Sequence, residues 1–128
     1  MIKLTFAVRR RTDLDPVEFY RYWRDQHGPL VRSFQPALGF RRYVQTHRME
    51  TPLNEVLRVS RGALEPFDGV AELWWEDLDA LVAATSSSEG SAAGQALLED
   101  ERKFIDLEQS ALWLGQEIEI IPFVSDPE

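Results

Sequence analysis

Two histidines, His27 and His47, are the side chains of this 128-residue chain that titrate near neutral pH without perturbation. His27 stands in WRDQHGPL, directly before a Gly-Pro pair, and His47 closes the run RRYVQTH. Each has an ordinary explanation by itself. An imidazole at a helix end can bond a free carbonyl and complement the helix dipole, and one at a strand end can sit in solvent. Together they offer general acid–base chemistry, one moving a proton beside a carbonyl while the other, or Tyr43, polarises the oxygen.

Carboxylates that could orient an imidazole are Asp68, Glu72 and Glu101. Glu72 lies mid-strand on the side of Trp74, and Glu101 interrupts an apolar helix stripe. A carboxylate in such a place must be paired or protonated. The structural alternative for each is an ion pair with an arginine such as Arg9, Arg41 or Arg42. Trp23, Tyr43 and Trp74 beside one histidine would suit a hydrophobic, aromatic or lactone-like ligand.

Other chemistries lack their residues. With no cysteine, disulfides, thiolate nucleophiles and zinc-thiolate sites are excluded. Histidines and carboxylates exist, but HxH and HExxH spacings do not, so no metal site is expected. Gly90 and Gly94 lie in a Ser/Ala run without lysine, which is no phosphate loop, and GxSxG is absent.

The net charge of −8 is unevenly spread: residues 1–64 hold 12 Lys/Arg and 6 Asp/Glu, residues 65–128 hold 2 and 16. The basic residues sit inside amphipathic elements rather than on a tail, so the halves complement each other within one fold or across a dimer. Nucleic acid is not an expected partner. MIKLTFAV alternates like a strand and lacks the apolar run of a signal peptide or membrane span. One cytoplasmic domain over residues 1–128, with no membrane partner, is the expectation.

The elements that must position these residues follow from periodicity. Residues 2–8 alternate as a first strand. Asp15, Pro16 and Glu18 form a helix start with capping-box spacing, and Leu14 and Phe19 hold the staple positions. Phe19, Trp23 and His27 recur at four-residue spacing on one face, and Gly28-Pro29 is expected to stop or kink the helix. Phe40–His47 reads as a second strand, with Arg41, Tyr43, Gln45 and His47 on one face. Residues 49–68 read as a long excursion with one short helix near 54–59. Val70–Glu76 reads as a third strand and residues 76–84 as a short helix. Residues 85–94 suggest a mobile loop, residues 92–105 a helix, and Glu117–Val124 a fourth strand whose Pro122 argues for an edge or bulge.

This order of two split βαβ units predicts an α+β, ferredoxin-like fold: a four-stranded antiparallel sheet with helices on one face. Trp74 and Trp75 point to opposite faces, so the bare face is expected to bury itself against a second copy in a homodimer.

HGPL at 27–30, RRYVQTH at 41–47, DGVAELWW at 68–75 and EDERKFID at 99–106 resemble, in order, the EthD-domain family. The resemblance implies a dimeric α+β barrel with ligand pockets between each subunit's helices and its own sheet. It also implies a cofactor-independent lyase, dehydratase or isomerase of a hydrophobic, carbonyl-containing small molecule. On this resemblance His27 matches the family's histidine before Gly-Pro, His47 matches the histidine ending strand two, and Tyr43, Gln45, Asp68 and Glu72 fall on other recurrent positions. His27 and His47 are the expected catalytic pair. Thr46 stands where many relatives have Asn. Alternatives are a cofactor-free monooxygenase or oxidative decarboxylase of an aromatic substrate, and a non-catalytic small-molecule-binding dimer.

Overall fold

The computed structural model describes residues 1–127. β1 (Ile2–Val8) lies in the middle of an antiparallel sheet, paired with β3 (Gly69–Trp75) on one side and β4 (Ala111–Gln116) on the other. β2 (Arg42–His47) pairs with β3, giving the order β2-β3-β1-β4, the ferredoxin-like arrangement expected. The register sets Leu4 opposite Leu73 and Phe6 opposite Ala71 on the helix-bearing face. Lys3 opposite Trp74 and Thr5 opposite Glu72 then fall on the other face.

The first helical arm begins as its sequence demands: the Asp15 side chain accepts the Glu18 N–H at 2.9 Å, and Pro16 opens α1 (Pro16–Tyr22). Gly28 and Pro29 do not end it. Gly28 keeps right-handed helical angles (φ −55°, ψ −52°), and the chain runs on through α2 (Gly28–Ser33) and α3 (Gln35–Leu38) to Gly39 at φ 72°. Pro29 has no N–H to give the Asp25 carbonyl and its ring would crowd it. The chain absorbs this with one wide π-turn, Trp23–His27, in which the Gly28 N–H reaches back to the Trp23 carbonyl.

That turn also solves a phase problem. Four-residue steps overshoot a full α-helical turn by about 40° each, so a stripe at every fourth residue drifts off the core. The wide turn takes up part of the drift, and Phe19, Trp23, His27 and Val31 are all buried. His27, at 5 % exposure, is therefore a mid-helix residue facing the interior rather than a helix terminus.

Two apolar clusters fill the space between sheet and helices. One gathers Val8, Phe19, Trp23, Ala71 and Phe104; the other gathers Val31, Leu38, Phe40, Trp75 and Ala93. Tyr43 packs against both.

Two other expectations change. The fourth strand is ALWLGQ, not EIEIIPFV: residues 117–127 leave the sheet, and Ile118, Ile120, Ile121 and Phe123 are exposed. The Ser-rich patch is a helix corner, not a loop. Thr85 and Ser86 end α5 (Leu78–Ser86), and Ser87 caps α6 (Ser88–Glu101) by accepting the Gly90 N–H at 2.9 Å. A side chain at Gly90 would strike the Ala84 carbonyl, so that glycine permits the close crossing. Within the 49–68 excursion, α4 (Leu53–Arg61) exposes Leu53, Val56 and Leu57 along one side.

Candidate active site

A cavity of about 220 Å³ lies where the two clusters meet, between the sheet and the helices. Leu4, Phe6, Leu38, Leu73, Leu97 and Ile105 give it apolar walls. Aromatic surface comes from Trp23, Tyr43 and Trp75, and polar groups from His27, Glu101 and Thr85. A small apolar void with a few convergent polar groups is the usual form of a ligand site.

His27 enters from the π-turn. Its Nδ1 lies 2.7 Å from Asp100 Oδ2, and Asp100 Oδ1 accepts the Tyr22 hydroxyl at 2.5 Å. Lys103 Nζ stands 3.5 Å from the same carboxylate. Burial alone would raise the Asp100 carboxyl, but the hydrogen bonds from Tyr22 and His27, with the Lys103 charge, hold it below the usual range. Burial, more than the opposing Asp100 contact, lowers His27 below its ordinary 6.5. An ionised carboxylate only accepts, so the neutral imidazole carries its proton on Nδ1 and gives it to Asp100. Nε2 has no hydrogen-bond partner among the described residues and keeps a free lone pair, and His27 is part of the cavity lining. Tyr22 is pushed up to about 12 by burial and by the Asp100 contact, so it remains a donor.

His47 lies outside the cavity lining. It stacks on Trp23 (centroids 4.6 Å apart, planes at 15°) and on Tyr20 (5.0 Å, 27°). Gln45 joins it to the cavity wall: Gln45 Nε2 donates to the Trp23 carbonyl at 2.9 Å and to the Tyr43 hydroxyl at 2.7 Å. The Trp23 carbonyl accepts only, so the amide nitrogen must face it and Oε1 must face His47, 2.7 Å away. His47 Nε2–H therefore donates to Gln45, and the Tyr43 hydroxyl, accepting from Gln45, retains a proton to donate. Burial, then the Arg24 charge, lowers His47 as well. A chain from His47 through Gln45 fixes Tyr43.

The remaining predicted residues lie elsewhere. Asp68 accepts the Arg10 backbone N–H at 2.7 Å and sits 3.7 Å from Arg48, locking the approach to β3. Glu72 pairs with Lys3 at 2.7 Å on the sheet's outer face. Trp74 lies on that face between Lys3 and Arg42, with its indole N–H on Glu117. The tryptophan of β3 in the cavity is Trp75, because strand alternation sends its neighbour outward.

Sequence reasoning passed over Asp100. Its signal was present: Asp100 stands four residues before the buried Phe104, on the inward side of an otherwise charged run. No group of three or more His, Asp or Glu side chains among the described residues is placed to hold a metal ion. None of the described helices is long and apolar enough to cross a membrane.

Three solved structures place this geometry among known folds. An ethyl tert-butyl ether D (EthD) family protein from Bacillus halodurans C-125 is 24% identical, with a TM-score of 0.61 over 92% of this chain and 99% of that one. A dimeric protein of unknown function and ferredoxin-like fold from Bacteroides fragilis NCTC 9343 is 13% identical, with a TM-score of 0.57 over 91% and 95%. SnoaB, a cofactor-independent oxygenase from Streptomyces nogalater, is 17% identical, with a TM-score of 0.51 over 95% of each chain. A search of curated proteins finds no match. The EthD domain model matches residues 11–108, which takes in the helical arm, the π-turn and the His27–Asp100 pair, and the chain belongs to the EthD-domain family.

Proposed function

We propose that this protein is a cofactor-independent enzyme of the lyase, dehydratase or isomerase type, acting on a hydrophobic small molecule that contains a carbonyl. The observation that carries this reading is the imidazole of His27, buried in the cavity wall and fixed by Asp100. Nε2 takes a proton from the carbon beside the carbonyl, and the electron pair of that C–H bond moves onto the carbonyl oxygen as an enolate. Tyr43, fixed by Gln45 and His47, donates its hydroxyl proton toward the developing charge. Return of the proton at another carbon gives isomerisation. Loss of a leaving group from the β-carbon gives elimination, with His27 supplying the proton that the leaving group takes. His47 acts through Gln45 and Tyr43 as a positioning residue.

The apolar lining supports this reading, since it strengthens each polar contact inside it. His27→Ala should retain the far-ultraviolet circular dichroism of the wild type and lose turnover. Full activity in that variant would contradict the reading.

A second reading draws on the aromatic surface of Trp23, Tyr43 and Trp75 and on the fold shared with SnoaB. In it, His27 deprotonates an electron-rich aromatic substrate that then reacts with oxygen. Oxygen uptake at an electrode, coupled to substrate loss, separates the two readings.

The working unit in this reading is a homodimer. Trp113, Leu112 and Leu114 of β4, the stripe of α4 and the 118–124 segment leave much apolar surface uncovered. A second copy on the outer sheet face would cover Trp113 and leave the cavity, on the opposite face, to each subunit.

A further inference from the structure

Two adjacent carboxylates end α6 and face different surroundings. Asp100 is taken up by Tyr22, His27 and Lys103. Glu101 has no side-chain hydrogen bond or ion pair among the described residues, and it lines the cavity with Leu97 and Ile105. The chain has 14 Lys and Arg, yet Glu101 is in no ion pair with any of them. A carboxylate there would meet apolar walls, the negative end of its own helix and the ionised Asp100 beside it.

We propose that Glu101 is a ligand-binding group of this cavity, a carboxyl that donates a hydrogen bond to an uncharged acceptor oxygen on an apolar ligand such as a ketone, ester or lactone. The assignment rests on the reading of the cavity as a site for carbonyl compounds and adds a donor to it. Three features of the molecule fit. The carboxyl is unclaimed by protein, the apolar walls supply no cation that an anion would require, and His27 on the same cavity is an acceptor. The site thus holds one acceptor, His27, and two donors, Glu101 and the Tyr43 hydroxyl, a set that suits a neutral polar ligand over a carboxylate. Burial first, and then the Asp100 charge, raise Glu101 to about 7, so it carries its proton in mildly acidic conditions. The titratable groups that share the cavity lining with it are His27 from the π-turn and Tyr43 from β2. Asp100, Tyr22 and Lys103 lie behind, in the network that holds His27.

Three probes of one shape test the assignment: 2-acetylnaphthalene, 2-ethylnaphthalene and 1-(2-naphthyl)ethylamine, with binding read by quenching of tryptophan fluorescence. Trp23 and Trp75 line the cavity and report directly. At pH 6 the wild type should bind the ketone about fivefold tighter than the hydrocarbon, the size of one net hydrogen bond, and the preference should fade as pH rises past 7. Glu101→Leu should lose the pH-dependent part of the preference and keep only what the Tyr43 hydroxyl supplies. Glu101→Gln, which keeps a donor but does not titrate, should retain the preference with no pH dependence. A ketone preference undiminished in Glu101→Leu at pH 6 overturns the assignment. So does a preference for the ammonium probe, which would make Glu101 an ionised cation site, or failure of all three probes to bind. The wild-type pH series alone is decisive if a variant does not fold. Because no turnover is measured, His27→Ala should keep the ketone preference, so failure of the catalytic reading and failure of this one are distinguishable.

Discussion

His27 Nδ1 and Asp100 Oδ2 are 2.7 Å apart, joined across 73 residues of sequence between a π-turn and the end of the last long helix. The carboxylate sets which imidazole nitrogen bears the proton, and so decides that Nε2 is a base. Asp100→Asn keeps the volume but removes the charge, and its amide can hold the wrong tautomer. We expect kcat to fall by about 10² to 10⁴ with KM little changed. Tyr22→Phe removes only one supporting hydrogen bond and should cost about tenfold or less. Steady-state kinetics on the pair of variants checks the order.

The acid limb of activity should belong to His27. Burial holds its pKa below 6.5, so rate should rise with pH through a value under 6.5 and then level. The same shift makes stability pH-dependent. The unfolded imidazole protonates at a higher pH than the folded one, so stability is present above 6.5 and is lost as pH falls toward the folded value. With only two histidines in the chain, ¹⁵N-detected titration can resolve each. His27 should show the Nδ1–H tautomer and titrate below 6.5; an Nε2–H tautomer would contradict the dyad.

Glu101 should act on stability in the opposite sense. Its folded value of about 7 lies above its unfolded 4.5, so the folded state holds its proton longer and stability is lost as pH rises from 4.5 through 7. Glu101→Gln is expected to be more stable than the wild type at pH 8 by up to about 3 kcal/mol and equal to it near pH 4.5. Urea unfolding at the two pH values measures the difference.

Gly69 should tolerate no side chain. A Cβ there would meet the Trp23 ring at 2.6 Å and the Thr46 carbonyl. Gly69→Ala is expected to destabilise by about 1–3 kcal/mol and to loosen the Trp23–His47 stack. Thermal unfolding, with near-ultraviolet circular dichroism for the tryptophan environment, tests both effects.

Much of this architecture is readable from local pattern, and the exceptions have physical causes. The start of α1 follows from Asp15, Pro16 and Glu18, and strand alternation sends Tyr43, Gln45 and His47 to one face, because each depends on near neighbours alone. Gly28-Pro29 misleads because a π-turn can absorb a proline that an α-helix cannot. EIEIIPFV alternates better than ALWLGQ, yet the ladder with β1 selects ALWLGQ, whose Leu112 faces Phe6 and whose Leu114 faces Leu4. Trp74 was exchanged for Trp75 in the cavity because alternation gives opposite sides without saying which side the helices cover. The inward place of Asp100 is a local signal, but its role depends on Tyr22 and His27 from the other half of the chain.

In the proposed function His27 takes a proton from carbon beside a carbonyl. The most direct test of that step is hydrogen–deuterium exchange of the α-protons of a panel of small hydrophobic ketones in D₂O, followed by proton NMR. At least one ketone should exchange faster with wild-type protein than with buffer. That acceleration should vanish in His27→Ala and in His27→Gln, the second of which can still hydrogen-bond Asp100. Acceleration that persists in both variants would contradict the account.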